Sequence, residues 1–184
     1  MRFREEVFRL RGAIWTAFFV AVAFFASPTP GGLLMGIPFV IAGQGVRFWA
    51  AGTIRRYRGE KVSARGLVTW GPYAWCRNPL YVGNFLIGLG WSVMASVYVV
   101  PAYAAAFFVV YFVGIVPLEE NFLSSAFGEE YQRYRTQVPS FFPRQPQAHS
   151  LGGPFSFDVL WKSERYSFLV TLFGTLILVL KTFL

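Results

Sequence analysis

Two carboxylates, Glu119 and Glu120, stand where a long apolar run meets water. A negative charge is costly there unless it holds something cationic, so a positively charged cofactor would suit this pair. The complementary chemistry lies upstream, in the stretch Gly71 to Gly83, GPYAWCRNPLYVG. Arg77 brings a planar cation. Asn78 followed by Pro79 reads as an N-cap and a first-turn proline opening a helix, with Asn78 accepting from the exposed amides. Amides freed at such a start form an anion site. Downstream of the acids, Glu120, Leu123, Phe127, Tyr131 and Tyr134 recur every three or four residues, which puts Glu120 on one helical face with the aromatic residues. Tyr73, Tyr81, Tyr131 and Tyr134 are candidates to wall the rings or hydroxyls of a bound molecule.

The elements that must position these groups are apolar helices. The chain has 184 residues, 55% hydrophobic and 20% aromatic, with only 14% charged. That is too apolar for an ordinary soluble domain and too short for two, so we expect one all-α domain over residues 1–184, a polytopic integral membrane protein. The net charge of +8 does not indicate nucleic acid, because the 17 Lys and Arg cluster between apolar spans instead of along one soluble face. The single cysteine, Cys76, excludes an intramolecular disulfide, and with one histidine, His149, no Cys- or His-rich metal site is expected.

About five transmembrane helices are predicted. A first span covers Ala13 to Ala26 behind Arg2, Arg4, Arg9 and Arg11; the poor cleavage site favours a retained helix over a removed leader. After the turn SPTPGG, Leu33 to Ala51 is long enough to cross. Its one charge, Arg47, is expected to snorkel to the interface. From Asn78 to Leu118 no residue is charged, which makes a hairpin of two spans turning near Ser96 to Pro101. Gly128 is a candidate kink in the helix that follows, and the proline-rich Val138 to Pro154 reads as a loop holding an exposed His149. Phe155 to Trp161 suits the interface, and Tyr166 to Leu184 is an extra final span with Lys181 snorkelling. Basic residues number four before the first span, six between Gly52 and Asn78 and five between Glu119 and Arg165, with none in the intervening turns. This alternation places the N-terminus and both site segments in the cytoplasm and the C-terminus outside.

The pattern G-P-Y-x-x-x-R-N-P-x-Y-x-G, then E-E, F-G-x-x-Y-x-x-Y and V-P-x-F-x-P, resembles the catalytic half of the isoprenylcysteine carboxyl methyltransferase and phospholipid methyltransferase superfamily, over residues 66–143. The resemblance implies a membrane enzyme with a cytoplasmic-side pocket for S-adenosylmethionine. It implies cofactor contacts from Gly71, Pro72, Tyr73, Arg77, Asn78, Pro79, Tyr81, Gly83, Glu119, Glu120, Tyr131 and Tyr134, with Arg77 and Glu120 at the methyl-transfer centre. Family members often carry R-H-P where this chain has Arg77-Asn78-Pro79, so no histidine role is carried over. S-adenosylmethionine bears a sulfonium, an ammonium and a carboxylate, which match the acids, the cation and the helix-start amides. Methyl transfer from an activated donor asks mainly for positioning and exclusion of water. The expected acceptor is lipid-like, entering from the membrane lipids, with no nucleic acid as partner. Two other readings stand beside it: an NADPH-dependent membrane reductase related to sterol reductases, and a non-catalytic membrane scaffold.

Overall fold

The computed structural model describes residues 2–54, 66–145 and 151–184. Among the described residues six α-helices follow in order: α1 (Arg2–Phe25), α2 (Pro30–Thr53), α3 (Pro79–Ala95), α4 (Val100–Phe107), α5 (Val116–Gln137) and α6 (Phe157–Lys181). A π-helical segment, Phe108–Ile115, joins α4 to α5, so that Val97–Gln137 is a single helical stretch of 41 residues. There is no strand among the described residues. The chain is an all-α polytopic membrane protein: α1 from Arg4, α2, the Val97–Gln137 stretch and α6 are each long and apolar enough to cross a bilayer. The remaining helix, α3, has 17 residues, about 25 Å at 1.5 Å per residue. The expected His149, and the basic residues Arg55, Arg56, Arg58, Lys61 and Arg65, lie outside the described residues.

Local chemistry explains where the elements start and stop. Thr29 caps α2 by accepting from the Gly32 amide, and Pro30 supplies the first-turn proline. Ser156 caps α6 in the same way, accepting from the Val159 amide. That start extends the final helix well before the expected Tyr166, so Trp161, Glu164 and Arg165 are helical residues. The hairpin turns where expected, at Ser96 and a short 3-10 turn, Val97–Val99.

Helices α2 and α3 meet backbone to backbone. A Cβ placed on Gly36 would fall 2.5 Å from the Gly90 carbonyl oxygen, and one on Gly43 would fall 2.7 Å from that of Gly83. The reverse placements are equally close, 2.6 Å for Gly90 and 2.8 Å for Gly83. Two glycines seven residues apart on each helix therefore form a reciprocal antiparallel seam, the means by which helices pack closely when lipid offers no hydrophobic drive.

The two basic residues expected to snorkel do otherwise. Arg47 turns inward, giving Nε to Glu164 Oε2 and Nη2 to Glu164 Oε1 at 2.9 Å each, and Nη1 to Asn84 Oδ1. A carboxylate on α6 costs less to bury beside that cation than alone, so the pair fastens α6 to α2. Lys181 Nζ donates to the Ala23 and Phe24 carbonyls at 2.8 and 2.7 Å, satisfying last-turn acceptors of α1 that have no partner within the helix. The C-terminal ends of α1 and α6 are thus side by side. At that same end Ser27 N donates to the Ala95 carbonyl, while at the opposite end Ser156 N donates to Gly52 O.

Candidate functional site

The site is built at the end of the bundle where α2 finishes and α3 begins. Gly71 has φ +61°, a backbone that side chains rarely adopt, and it opens the 3-10 turn Gly71–Ala74 hard against Thr53. The turn closes as Trp75 N and Cys76 N both donate to the Pro72 carbonyl. Cys76 is buried behind it. Burial pushes its thiol up to about 11, only partly offset by a hydrogen bond from the Asn78 backbone and the charge of Arg77. The thiol is a neutral packing group.

The segment after α5 then runs alongside. Arg77 N donates to Pro139 O at 2.8 Å, Asn78 N to Ser140 O at 3.2 Å, and Arg144 N to Trp75 O at 3.0 Å. Asn78 does stand at the N-cap position of α3, but its side chain does not accept from the helix amides as expected. Its Nδ2 instead donates to Ser140 O and Ser140 Oγ, both at 3.1 Å. The reason is competition: the extended Val138–Ser140 backbone presents carbonyls in reach of an amide donor, and Asn78 uses that end of its side chain.

Arg77 knots the two segments together. Its Nε and Nη2 donate to Glu120 Oε1 at 3.0 and 2.6 Å, and its Nη1 donates to the carbonyls of Val138 and Arg135 at 2.5 and 3.1 Å. Ser140 Oγ also faces Glu120 Oε1, at 3.4 Å. Among the described residues no hydrogen bond reaches the other oxygen, Glu120 Oε2, and Arg135 Nε stands 3.8 Å from it on a side chain that is 51% exposed. Glu119 points elsewhere: it is buried, and its Oε1 accepts from Tyr81 OH at 2.7 Å. The Tyr81 ring in turn lies 4.6 Å from that of Tyr111, whose hydroxyl accepts from Asn84 Nδ2 at 2.9 Å.

Gly128, with φ +51° and ψ −124°, kinks α5 and lets its last two turns descend on the 71–79 segment. Tyr131 and Tyr134 are both buried there, and Tyr134 OH donates to Tyr73 O at 2.7 Å. The structure so brings Tyr73, Arg77, Asn78, Glu120, Tyr131 and Tyr134 into one assembly, with Glu119 and Tyr81 adjoining it. Gly83 stands apart, in the seam against Gly43 and Arg47. Pro72 and Pro79 shape the turn and the helix start. Ser140 was missed from the sequence although it occupies the open position of V-P-x-F-x-P, because nothing in a lone serine between prolines announces a partner.

A family model described as phospholipid methyltransferase matches residues 29–130, more than half of the chain. The chain belongs to the phospholipid methyltransferase family. The matched span holds Arg77, Glu119 and Glu120, whereas α1 and α6 lie outside it. Among similar proteins, the cobalt-zinc-cadmium resistance protein of Cupriavidus metallidurans is 44% identical over 78 residues, 42% of this chain and 36% of that protein. A protein-S-isoprenylcysteine O-methyltransferase of Rattus norvegicus is 35% identical over 113 residues, 59% of this chain and 40% of the relative. An Arabidopsis thaliana protein-S-isoprenylcysteine O-methyltransferase B is 37% identical over 116 residues, 59% of this chain and 57% of the relative. The chain thus spans little more than half, at most, of the length of these curated relatives. No solved structure matches this phospholipid methyltransferase family member.

Proposed function

We propose that this protein transfers the methyl group of S-adenosylmethionine to a lipophilic acceptor, at the membrane interface facing the cytoplasm. The observation that carries the reading is the unequal use of the Glu120 carboxylate. Oε1 is committed to Arg77 and Ser140, while among the described residues Oε2 takes no hydrogen bond and stands 3.8 Å from an exposed arginine. That oxygen suits an ammonium or a ribose hydroxyl, and Arg135, half in solvent, can yield its place at small cost.

The donor set fits the cofactor as a whole. Glu120 would hold its cationic or hydroxyl groups, Arg77 with the amides at the start of α3 would meet its carboxylate, and Tyr73, Tyr131 and Tyr134 would pack beside its rings. When bound, the cofactor supplies an electrophilic methyl group on a sulfonium. What the chain adds is positioning: Arg77 is held by one carboxylate and two carbonyls, so its fork is fixed before an acceptor arrives. The buried tyrosines exclude water from the junction. An ionised acceptor needs no base here. An amine would give its proton to Glu120 or to solvent.

Calorimetry with S-adenosylmethionine, its demethylated product and NADPH tests the reading. Both sulfur compounds should bind and NADPH should not. Glu120→Gln should weaken them by about 1.5 to 3 kcal/mol, the value of a hydrogen bond to a charged group. Binding of NADPH alone would replace this reading with a reductase. Incubation with labelled cofactor and a lipid extract then identifies the acceptor by the species that gains label.

A further inference from the structure

Between α1, α3, α6 and the π-helical segment lies a cavity of about 180 Å³, away from the Arg77 site. Its walls include Trp15 and Phe19 of α1, Trp91 of α3, Tyr111, and Val170 and Thr171 of α6. Most of this lining is apolar, and the polar groups in it are unequal. Ser92 and Thr171 spend their hydroxyl protons on their own helices, donating to Gly88 O at 2.7 Å and Ser167 O at 2.9 Å. Asn84 and Tyr111 also line the cavity. Asn84 gives one amide proton to the Tyr111 hydroxyl and its oxygen accepts from Arg47, leaving a second amide proton, and the Tyr111 hydroxyl proton, for another partner. Asn84 and Tyr111 therefore form the main polar point of a mostly apolar chamber, with the buried Trp15 Nε1, which has no hydrogen-bond partner among the described residues, also in its lining.

The cation bonded to Asn84 is itself paired. Arg47, which orients Asn84, is neutralised by Glu164 at 2.8 Å, with both side chains largely withdrawn from solvent. Size adds a second limit, since an apolar cavity of about 150 Å³ holds one benzene ring. We infer that the cavity is a binding site for a compact, uncharged molecule, roughly one ring in size, whose single oxygen hydrogen-bonds Asn84 and Tyr111. Entry is sideways from the lipid, past Val170, which lines the cavity and is 64% exposed. Two of its walls, α1 and α6, lie outside the span that matches the family. The site stands on these contacts whether or not the protein transfers methyl groups.

The test uses full-length protein in detergent and 4-bromophenol, whose bromine quenches the tryptophans it approaches; Trp15 and Trp91 report on the cavity. Saturable quenching is expected, with bromobenzene about fivefold weaker for want of a hydrogen bond and 4-bromobenzoate showing no saturation at neutral pH. Val170→Phe, at the exposed mouth, should weaken 4-bromophenol by about tenfold, as the bulk of an added ring demands, with an unchanged thermal midpoint. Val22→Phe provides a second block from the α1 side. Quenching that rises linearly with probe and ignores both variants overturns the site. Relief of 4-bromophenol quenching by undecanol at comparable affinity also overturns it, by showing a groove for long chains in place of a compact pocket. Saturable binding of 4-bromobenzoate would refute the selection for uncharged ligands.

Discussion

Arg47 of α2 and Glu164 of α6 form a two-point pair, Nε to Oε2 and Nη2 to Oε1 at 2.9 Å each, between helices 117 residues apart in the chain. Their side chains are only 13% and 4% exposed, so each charge depends on the other. Removing one partner strands a buried charge, which costs about 3 to 5 kcal/mol. Glu164→Leu should therefore lower the thermal midpoint in detergent sharply, and the double variant Arg47→Met with Glu164→Leu should recover most of the loss. A double variant as unstable as the single would show that the pair's worth lies in the Asn84 bond, not in mutual neutralisation.

Arg77 makes a second, different use of the fork. Three of its nitrogens serve one carboxylate oxygen and two backbone carbonyls. Arg77→Lys keeps the charge but cannot span all of these partners. Each lost carbonyl bond is worth about 1 kcal/mol, so the variant should unfold earlier as well as lose methyl transfer. Full turnover at a lowered midpoint would assign Arg77 to holding the segments together and to nothing else.

Cys76 gives a pH prediction with a definite sign. The folded thiol holds its proton up to about 11 against an ordinary value of 9.0, because burial opposes the thiolate. Its contribution to stability is complete below pH 9 and is lost as the pH rises through about 11, where the unfolded chain has already released the proton. Maleimide labelling of the folded protein at pH 7 to 8 should be slow, and Cys76→Ala should flatten the alkaline fall in stability. Rapid labelling at neutral pH would contradict the burial argument.

The contact of Lys181 with Ala23 and Phe24 sets the C-terminal ends of α1 and α6 at one level. Those two helices therefore run in the same direction, which predicts termini on opposite sides of the membrane. With the basic N-terminal residues in the cytoplasm, a reporter fused after Leu184 should be active only outside. Activity on the inner side would mean that α6 does not cross. Lys181→Met should loosen the same end, lowering stability by about 1 to 2 kcal/mol, and with it the thermal midpoint, through two unmet carbonyls.

Helices, turns and the kink at Gly128 were legible in the sequence because each depends on residues within one or two turns of itself. Hydropathy marked the spans, proline and glycine marked the breaks, and three-to-four spacing put Glu120 on the face of Tyr131 and Tyr134. The same signals misjudged the long-range partners of Arg47, Lys181 and Asn78. Periodicity reports the face a residue occupies but not what stands opposite, so Arg47 read as an interfacial anchor until α6 brought Glu164 beside it. Asn78 had the right position for a cap, yet the Val138–Ser140 backbone, distant in sequence, turned its side chain from acceptor to donor. The likeness to methyltransferases pointed to Arg77 and Glu120 together, but that they bind each other was decided only by the fold of α5 back across the start of α3. Local preference and hydropathy are written residue by residue, whereas the pairing of buried charges is settled by which helices can pack closely, here along the glycine seam of α2 and α3.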